Sequence, residues 1–266
     1  MQFEPLDHSD FHYLKEFEPP GWGDLVPRFR YCIDSSFCHP IKLKAVDTTV
    51  AIGTTILHKD SAWLASIIVH PDHRTKGYGN KITQQLVDSI DMDRYTTIFL
   101  DATAFGYPVY KKMGFQHEAT YAHLKAAANI TGVQFSKNII GYQPKYLEQV
   151  LQLDKNISCE DRQDIIMENI STAKLYLGNN QVEGFYMASL GNGLILAAND
   201  TAGIELMKCR IENNCYGIMP EENTAAIAFL QEAGLEQFRI SRRMFIGRKR
   251  EWKAKRIYNR ISGQLG

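Results

Sequence analysis

Residues 66–82 read SIIVHPDHRTKGYGNKI: an apolar run broken at Pro71, a turn carrying Arg74, Lys76, Gly77 and Gly79, then residues at helical spacing. A helix start leaves backbone N–H groups without partners and carries partial positive charge, so a glycine-rich strand-to-helix turn is an anion site. Arg74 and Lys76 add full charges to it. Gly77 and Gly79 lack a Cβ, which permits positive φ and close approach of an oxygen-rich group. The ligand that suits such a turn is a diphosphate. Spacing removes two kinds of diphosphate turn. GYGNKIT lacks the G-x-x-x-x-G-K-[ST] of nucleotide hydrolases, and Ile82 stands where G-x-G-x-x-G needs its third glycine.

The flanking segments predict what holds the turn. IKLKAV (41–46) and VAIGTTIL (50–57), separated by Asp47, Thr48 and Thr49, predict a β-hairpin. AWLASIIV (62–69) is apolar on both alternating faces, with Trp63, Ala65, Ile67 and Val69 on one and Leu64 and Ile68 on the other, which predicts a central covered strand. From Tyr78 the stripe Ile82, Leu86, Val87 and Ile90 predicts an amphipathic helix. TTIFLDA (96–102) predicts a strand, and YPVYKKMGF (107–115) a short helix closed by Gly114. This is one α/β unit with an α+β mixed sheet.

Arg74-x-x-Gly77-x-Gly79 after IIVHP resembles motif A of the GCN5-related N-acetyltransferase (GNAT) superfamily, and PVYKKMGF resembles its motif B at the expected distance. The resemblance implies acetyl-CoA as co-substrate and no metal. Ile67, Ile68 and Val69 would offer backbone groups to the pantetheine arm, and an N–H near Val69 would steady the acetyl oxygen as it becomes an oxyanion. Arg74, Thr75, Lys76, Gly77, Tyr78, Gly79 and Asn80 would wrap the diphosphate, and Tyr110 would protonate the departing thiolate. Each residue alone also fits an ordinary core strand, loop charge or packed aromatic; their joint register carries the resemblance.

The chain departs from that pattern at the base. Attack on a thioester needs a neutral amine, and many family members supply a glutamate. No acid lies within SAWLASIIV, and Ile98 stands at the matching place in the next strand. The candidates are Asp60 and Asp101 at strand ends, His70 beside the turn, His117 after motif B and Asp24 in PPGWGD, with a water chain as the alternative to all of them. Thr103 replaces a frequent CoA-contacting asparagine with a hydroxyl. PPGWGDLVPRF (19–29) reads as a loop whose Trp22 packs locally, with an acceptor pocket as the functional alternative.

The second half repeats the order of the first. AKLYLG, VEGFYMASL and GLILAA predict strands, followed by a helix at 201–212, a strand at CYGIMP, a helix at 223–233 and a strand at FRISRRMFIG. At an offset of 120 residues, TAFGYPVYKKMGF (103–115) lies over NTAAIAFLQEAGL (223–235), which points to duplication. Ser158 before EDRQDII is expected as an N-cap. AANDTAG has no basic residue and Leu230 replaces Tyr110, so this copy is expected to be degenerate and to bind no CoA. It would cover the acceptor site, form a homodimer surface, or only support the fold. The expected division is 1–135 for the acetyltransferase copy and 136–266 for the degenerate one, with the polar stretch 126–145 as the crossing.

Composition excludes other classes. Lys plus Arg (30) equals Asp plus Glu (30), so no charge excess directs the chain to nucleic acid or a membrane. From Arg242 to Arg260 nine basic residues face one acid, but interleaved Met244, Phe245, Ile246, Trp252, Ile257 and Tyr258 read as a strand under a charged face. Five scattered cysteines with no C-x-x-C read as buried reduced thiols, and the acidic start has no leader pattern. A cytoplasmic enzyme acetylating a small-molecule or peptide amine is the expectation, against a non-catalytic acyl-CoA sensor.

Overall fold

The computed structural model describes all residues except 128, 129, 131, 213, 264 and 266. Two compact units form, one built chiefly from Met1–Gln116 with Met244–Arg248, the other from His117–Arg243 with Lys249–Ser262.

The first unit runs β1 (Gln2–Pro5), a 3-10 helix (His8–Phe17), α1 (Val26–Asp34), β2 (Cys38–Ala45), β3 (Thr48–Leu57), β4 (Ala62–Val69), α2 (Tyr78–Asp88), β5 (Thr97–Ala102) and α3 (Tyr107–Lys112). Its strands lie in chain order, antiparallel from β1 to β4, with β4 and β5 parallel. The predicted hairpin is β2–β3, and β4 is central as its two apolar faces require. On one face α2 buries Ile82 and Leu86 with Leu43, Val50, Leu64 and Ile98. On the other, Leu14, Phe17, Leu25 and Phe29 cover Ile52 and Ile68. Met244, from far along the chain, completes the α2-side core, and Thr97 Oγ1 donates to the Arg248 carbonyl at 2.6 Å.

One expectation about β4 fails, and its failure shapes the site. Ser66 takes φ 51° and the β3–β4 register shifts between Ile52 and Thr54, so Ser66 and Ile67 together oppose Gly53. Such a bulge moves every later side chain to the other face. Ile67 and Val69 therefore pack with Leu64 toward α2, while Ile68 packs under α1, against the simple alternation of 62–69. The stretch 19–29 also differs from a plain loop. Its second half opens α1, with Asp24 Oδ1 accepting from the Val26 N–H at 2.8 Å and Trp22 stacked on Arg28.

The second unit contains β6 (Gln116–Lys125), β7 (Ile139–Gly141), α4 (Leu147–Ser158), α5 (Gln163–Asn169), β8 (Lys174–Gly178), β9 (Gln181–Met187), β10 (Leu194–Ala197), α6 (Asp200–Ile211), β11 (Tyr216–Pro220), α7 (Thr224–Glu232), β12 (Glu236–Gly247) up to Arg243, and β13 (Ile257–Asn259). Its strands are ordered β13-β10-β9-β8-β7 in one sheet, while β12, β6 and β11 are neighbours in another. Ser158 is not the predicted N-cap. It ends α4, its hydroxyl donating to the Asp154 carbonyl at 2.8 Å, and α5 has Arg162 at its N-cap position without a side-chain capping bond. In the basic run Arg243 is buried, paired with Glu118 and with Glu160 at 3.3 Å, and stacked on Trp252. All five cysteines are free; Cys32, Cys38 and Cys209 are buried as expected, while Cys159 and Cys215 are only half-buried.

Duplication is visible in backbone geometry. α3 ends with Gly114 at φ 94°, Gly114 N–H to Lys111 O at 3.2 Å and Phe115 N–H to Tyr110 O at 3.0 Å. α7 ends with Gly234 at φ 88°, Gly234 N–H to Gln231 O at 2.9 Å and Leu235 N–H to Leu230 O at 2.8 Å. Both are the same glycine-closed pair of hydrogen bonds at a helix C-terminus.

His123 on β6 gives the second unit an acid sensitivity. It is fully buried, Nδ1 accepting from Tyr216 Oη at 2.6 Å and from Arg239 at 3.2 Å, Nε2 facing Ser241 Oγ at 2.8 Å. Burial, then the charges of Arg260 and Arg239, push the imidazole down to about 2. An unfolded histidine takes its proton near pH ~6.5, so stability is complete above that value and is lost as pH falls toward 2, by about 1.4 kcal/mol per unit. His123→Gln is expected to flatten this part of the acid limb, which denaturant unfolding at pH 7 and pH 5 will measure.

Candidate active site

β4 and β5 pair at Ala62↔Ile98, Trp63↔Phe99 and Leu64↔Leu100, and no further. From the Ser66 bulge onward β4 has no ladder partner in β5 among the described residues, although β5 continues to Ala102. On that side the backbone of Ile67, Ile68 and Val69 has no β5 partner, and the Val69 carbonyl is met by Arg74 Nε.

The turn follows directly. Thr75 takes φ 63° and Gly77 φ 81°, and Gly77 caps α2 without any side-chain hydrogen bond. A Cβ on Gly77 would meet nothing within 4 Å, so glycine is needed there for its left-handed φ and not for room. Lys81 N–H bonds to Gly77 O at 3.2 Å, while the N–H groups of Thr75 to Asn80 donate to no described acceptor. Arg74 Nε reaches back to the Val69 carbonyl at 3.4 Å, and Lys76 Nζ donates to the Asp72 carbonyl at 2.9 Å. These uncapped donors with two cations form an anion cradle at the α2 dipole.

Thr103 and Tyr110 sit at and after the end of β5. Thr103 fixes the start of α3, its Oγ1 accepting from Gly106 N–H at 3.3 Å and its carbonyl from Tyr107 N–H at 2.9 Å. Tyr110 lies edge-on to Phe115 at 6.1 Å and against Gly106, where a Cβ would come within 2.6 Å of its ring. Burial, and then the Asp101 carboxylate, raise the phenol above its ordinary value, so it stays protonated at neutral pH.

The base candidates separate by position. Asp101 is one residue past the last β4–β5 rung and close enough to Tyr110 to act on its ionisation. Asp60 lies in the turn before Ala62, at the other end of β4, about 20 Å of strand from the bulge–turn segment. Asp24 caps α1. His70 accepts from Asp72 N–H at 3.3 Å and lies 3.6 Å from Glu16, a carboxylate that sequence spacing gave no reason to single out. His117 opens the second compact unit.

Sequence reading also missed Arg28. It stands one turn before Cys32 on α1, where Cys38 first and then the Arg28 charge hold the Cys32 thiol low against burial. Arg28 Nη1, Thr54 Oγ1 and Ser66 Oγ are buried without a hydrogen-bond partner, and Thr54 pairs with Ala65 beside the bulge. Among the described residues no group of three metal-capable side chains exists, and no helix is long and apolar enough to cross a membrane.

The parted parallel strands and the uncapped basic turn are the arrangement that the resemblance to an acetyltransferase domain implied. Residues 41–137 and 150–259 each match the family model of an acetyltransferase (GNAT) domain, so the chain belongs to the GNAT superfamily and carries two of its domains in tandem. It is 31% identical over 83 residues to the [ribosomal protein bS18]-alanine N-acetyltransferase of Salmonella typhimurium, covering 30% of this chain. The chain thus spans 55% of that relative's length. A candidate acetyltransferase from Pyrococcus horikoshii shares the fold across 100% of this chain and 95% of its own, at TM-score 0.81 and 20% identity. A tandem GNAT protein of the clavulanic acid biosynthesis pathway shares it across 92% of this chain and 98% of its own, at TM-score 0.58 and 11% identity.

Proposed function

We propose that the first copy, residues 1–135, transfers acetyl from acetyl-CoA to an amine by direct attack, and that the second, residues 136–266, is degenerate. The observation that carries this reading is the parting of β4 from β5 beside an uncapped α2 turn. Pantetheine amides would pair with Ile67 to Val69, and the diphosphate would rest on the N–H groups of Thr75 to Asn80 with Arg74 and Lys76. Asp101 takes the proton of the ammonium acceptor, and the freed nitrogen attacks the thioester carbon. A backbone N–H near Val69 holds the oxyanion as the C–N bond forms. The C–S bond then breaks as Tyr110 gives its proton to the sulfur, and the surplus proton on the adduct nitrogen returns to the Tyr110 phenolate, leaving a neutral amide and the free thiol.

The Salmonella relative acts on an alanine of a ribosomal protein. A peptide amine is accordingly one acceptor to test beside small amines. The acceptor would approach from the α1 side of the bulge, where Arg28 holds an unpaired buried donor. Arg28→Met is expected to raise the acceptor's KM about tenfold, the size of one charged hydrogen bond, with KM for acetyl-CoA unchanged.

The test of the function is thiol release from acetyl-CoA with a panel of amines and N-terminal peptides. Release that is lost in Tyr110→Phe supports the enzyme. Stabilisation by acetyl-CoA with no release from any acceptor would favour the non-catalytic sensor.

A further inference from the structure

In the first unit, β4 precedes α2, β5 precedes α3, and the strands part toward α2. In the second, β10 precedes α6 and β11 precedes α7, so the opening between β10 and β11 is the counterpart of the proposed cofactor cleft. That opening is not empty. β13 pairs antiparallel with β10 at Ile195↔Asn259 and Leu196↔Ile257, taking the sheet position beside β10 that β5 holds beside β4. On its other side it bonds to β11: Ile218 N–H donates to Asn259 Oδ1 at 2.8 Å, and Arg260 N–H donates to Ile218 O at 2.9 Å.

We infer that the C-terminal segment around β13 is a built-in occupant of the second copy's acyl-CoA cleft, standing where a pantetheine arm would lie, so that the chain takes one acyl-CoA. Asn259 carries the substitution of ligand by protein. Its side chain is an amide, as pantetheine's linkages are, and it bridges both walls. Oδ1 accepts from Ile218, and Nδ2 donates to the carbonyls of Asn192 at 3.0 Å and Gly193 at 2.7 Å before β10. Asn223, the N-cap of α7, adds a bond from Nδ2 to Ile257 O at 3.0 Å.

Tyr258 fills the space toward α6. Its ring is fully buried against Gly203, where a Cβ would clash outright with it. Glycine within a helix is unfavourable relative to alanine, and here it makes room for the tyrosine. The phenol donates to Asp200 Oδ1 at 2.5 Å, and Arg256 pairs with the same oxygen at 2.9 Å. The start of α6 is thus closed to a diphosphate as well. Asn199 Oδ1 already accepts from Ala202 N–H at 2.9 Å, and Asp200 puts a carboxylate where α2 presents open N–H groups.

This inference rests on the proposed placement of acetyl-CoA in the first copy, and two measurements separate the failures. Equilibrium dialysis of the full chain with labelled acetyl-CoA is expected to give one site per chain, and none in Gly77→Glu. Two sites per chain, or a site surviving in Gly77→Glu together with an Ile218 amide that gains protection from acetyl-CoA, would overturn the occupant. Hydrogen exchange without any ligand is expected to show the Ile218 amide protected in wild type, unchanged by acetyl-CoA, and exposed in Asn259→Ala. An unprotected Ile218 amide, or one that gains protection when acetyl-CoA is added, would overturn it too. If no acetyl-CoA binds, the first-copy reading fails while the exchange result still decides whether the strand fills the cleft. Gly203→Ala adds a check of sign: it should lower stability through Tyr258, although alanine favours the helix.

Discussion

Gly77→Glu is expected to remove the thermal stabilisation that acetyl-CoA gives the wild type, while the variant remains folded. Gly77 is exposed, its φ is 81°, and a Cβ there meets no atom within 4 Å. The structural cost is therefore the left-handed backbone alone, about 1–2 kcal/mol. The binding cost is larger. A carboxylate about 4 Å from a diphosphate charge costs about 4 kcal/mol at an effective dielectric near 20, close to three powers of ten in affinity. Gly77→Ala carries the backbone strain without the charge. It is expected to lose some stability and keep most of the ligand-induced shift. Melting curves of the three proteins with and without acetyl-CoA decide the matter. Equal shifts in wild type and Gly77→Glu would remove the turn from the site.

How much of this was legible in the sequence follows from the range of each interaction. The turn was readable because its demands are local. Left-handed φ at Gly77, uncapped N–H groups and the stripe of Ile82 and Leu86 all lie within a few residues. The offset between Gly114 and Gly234 was readable for the same reason, since each closes its own helix. The Ser66 bulge was not. A serine at φ 51° leaves no compositional trace, and the face of Ile67 depends on where β3 slips its register. The place of Asp101 beside Tyr110 depends on where β4 and β5 stop pairing, which no periodicity within either strand encodes. β13 is three residues long, too short for any pattern, and its meaning comes from Ile195 and Ile218 on either side.

The parting of the strands also bears on which residues act together, and this leads to the second large expected effect. Asp101→Asn and Tyr110→Phe should each lower kcat by about 10²–10⁴, the range for loss of a positioned base or acid. Their pH profiles should differ. Asp101 is needed only while the acceptor is protonated, so the Asp101→Asn deficit should shrink as pH rises past the amine's own pKa, roughly 8 for an α-amine and above 10 for a lysine. Tyr110 serves the sulfur and not the amine, so the Tyr110→Phe deficit should persist across that range. The raised phenol also keeps wild-type Tyr110 protonated through it, and no alkaline loss from this group is expected below pH ~10. Neither variant should alter the thermal shift from acetyl-CoA, because neither group belongs to the diphosphate turn. An Asp101→Asn deficit that stays constant with pH would make that carboxylate a positioning partner of Tyr110. The base would then have to be sought at His70, whose Nε2 lies 3.6 Å from Glu16 beside the same strand end.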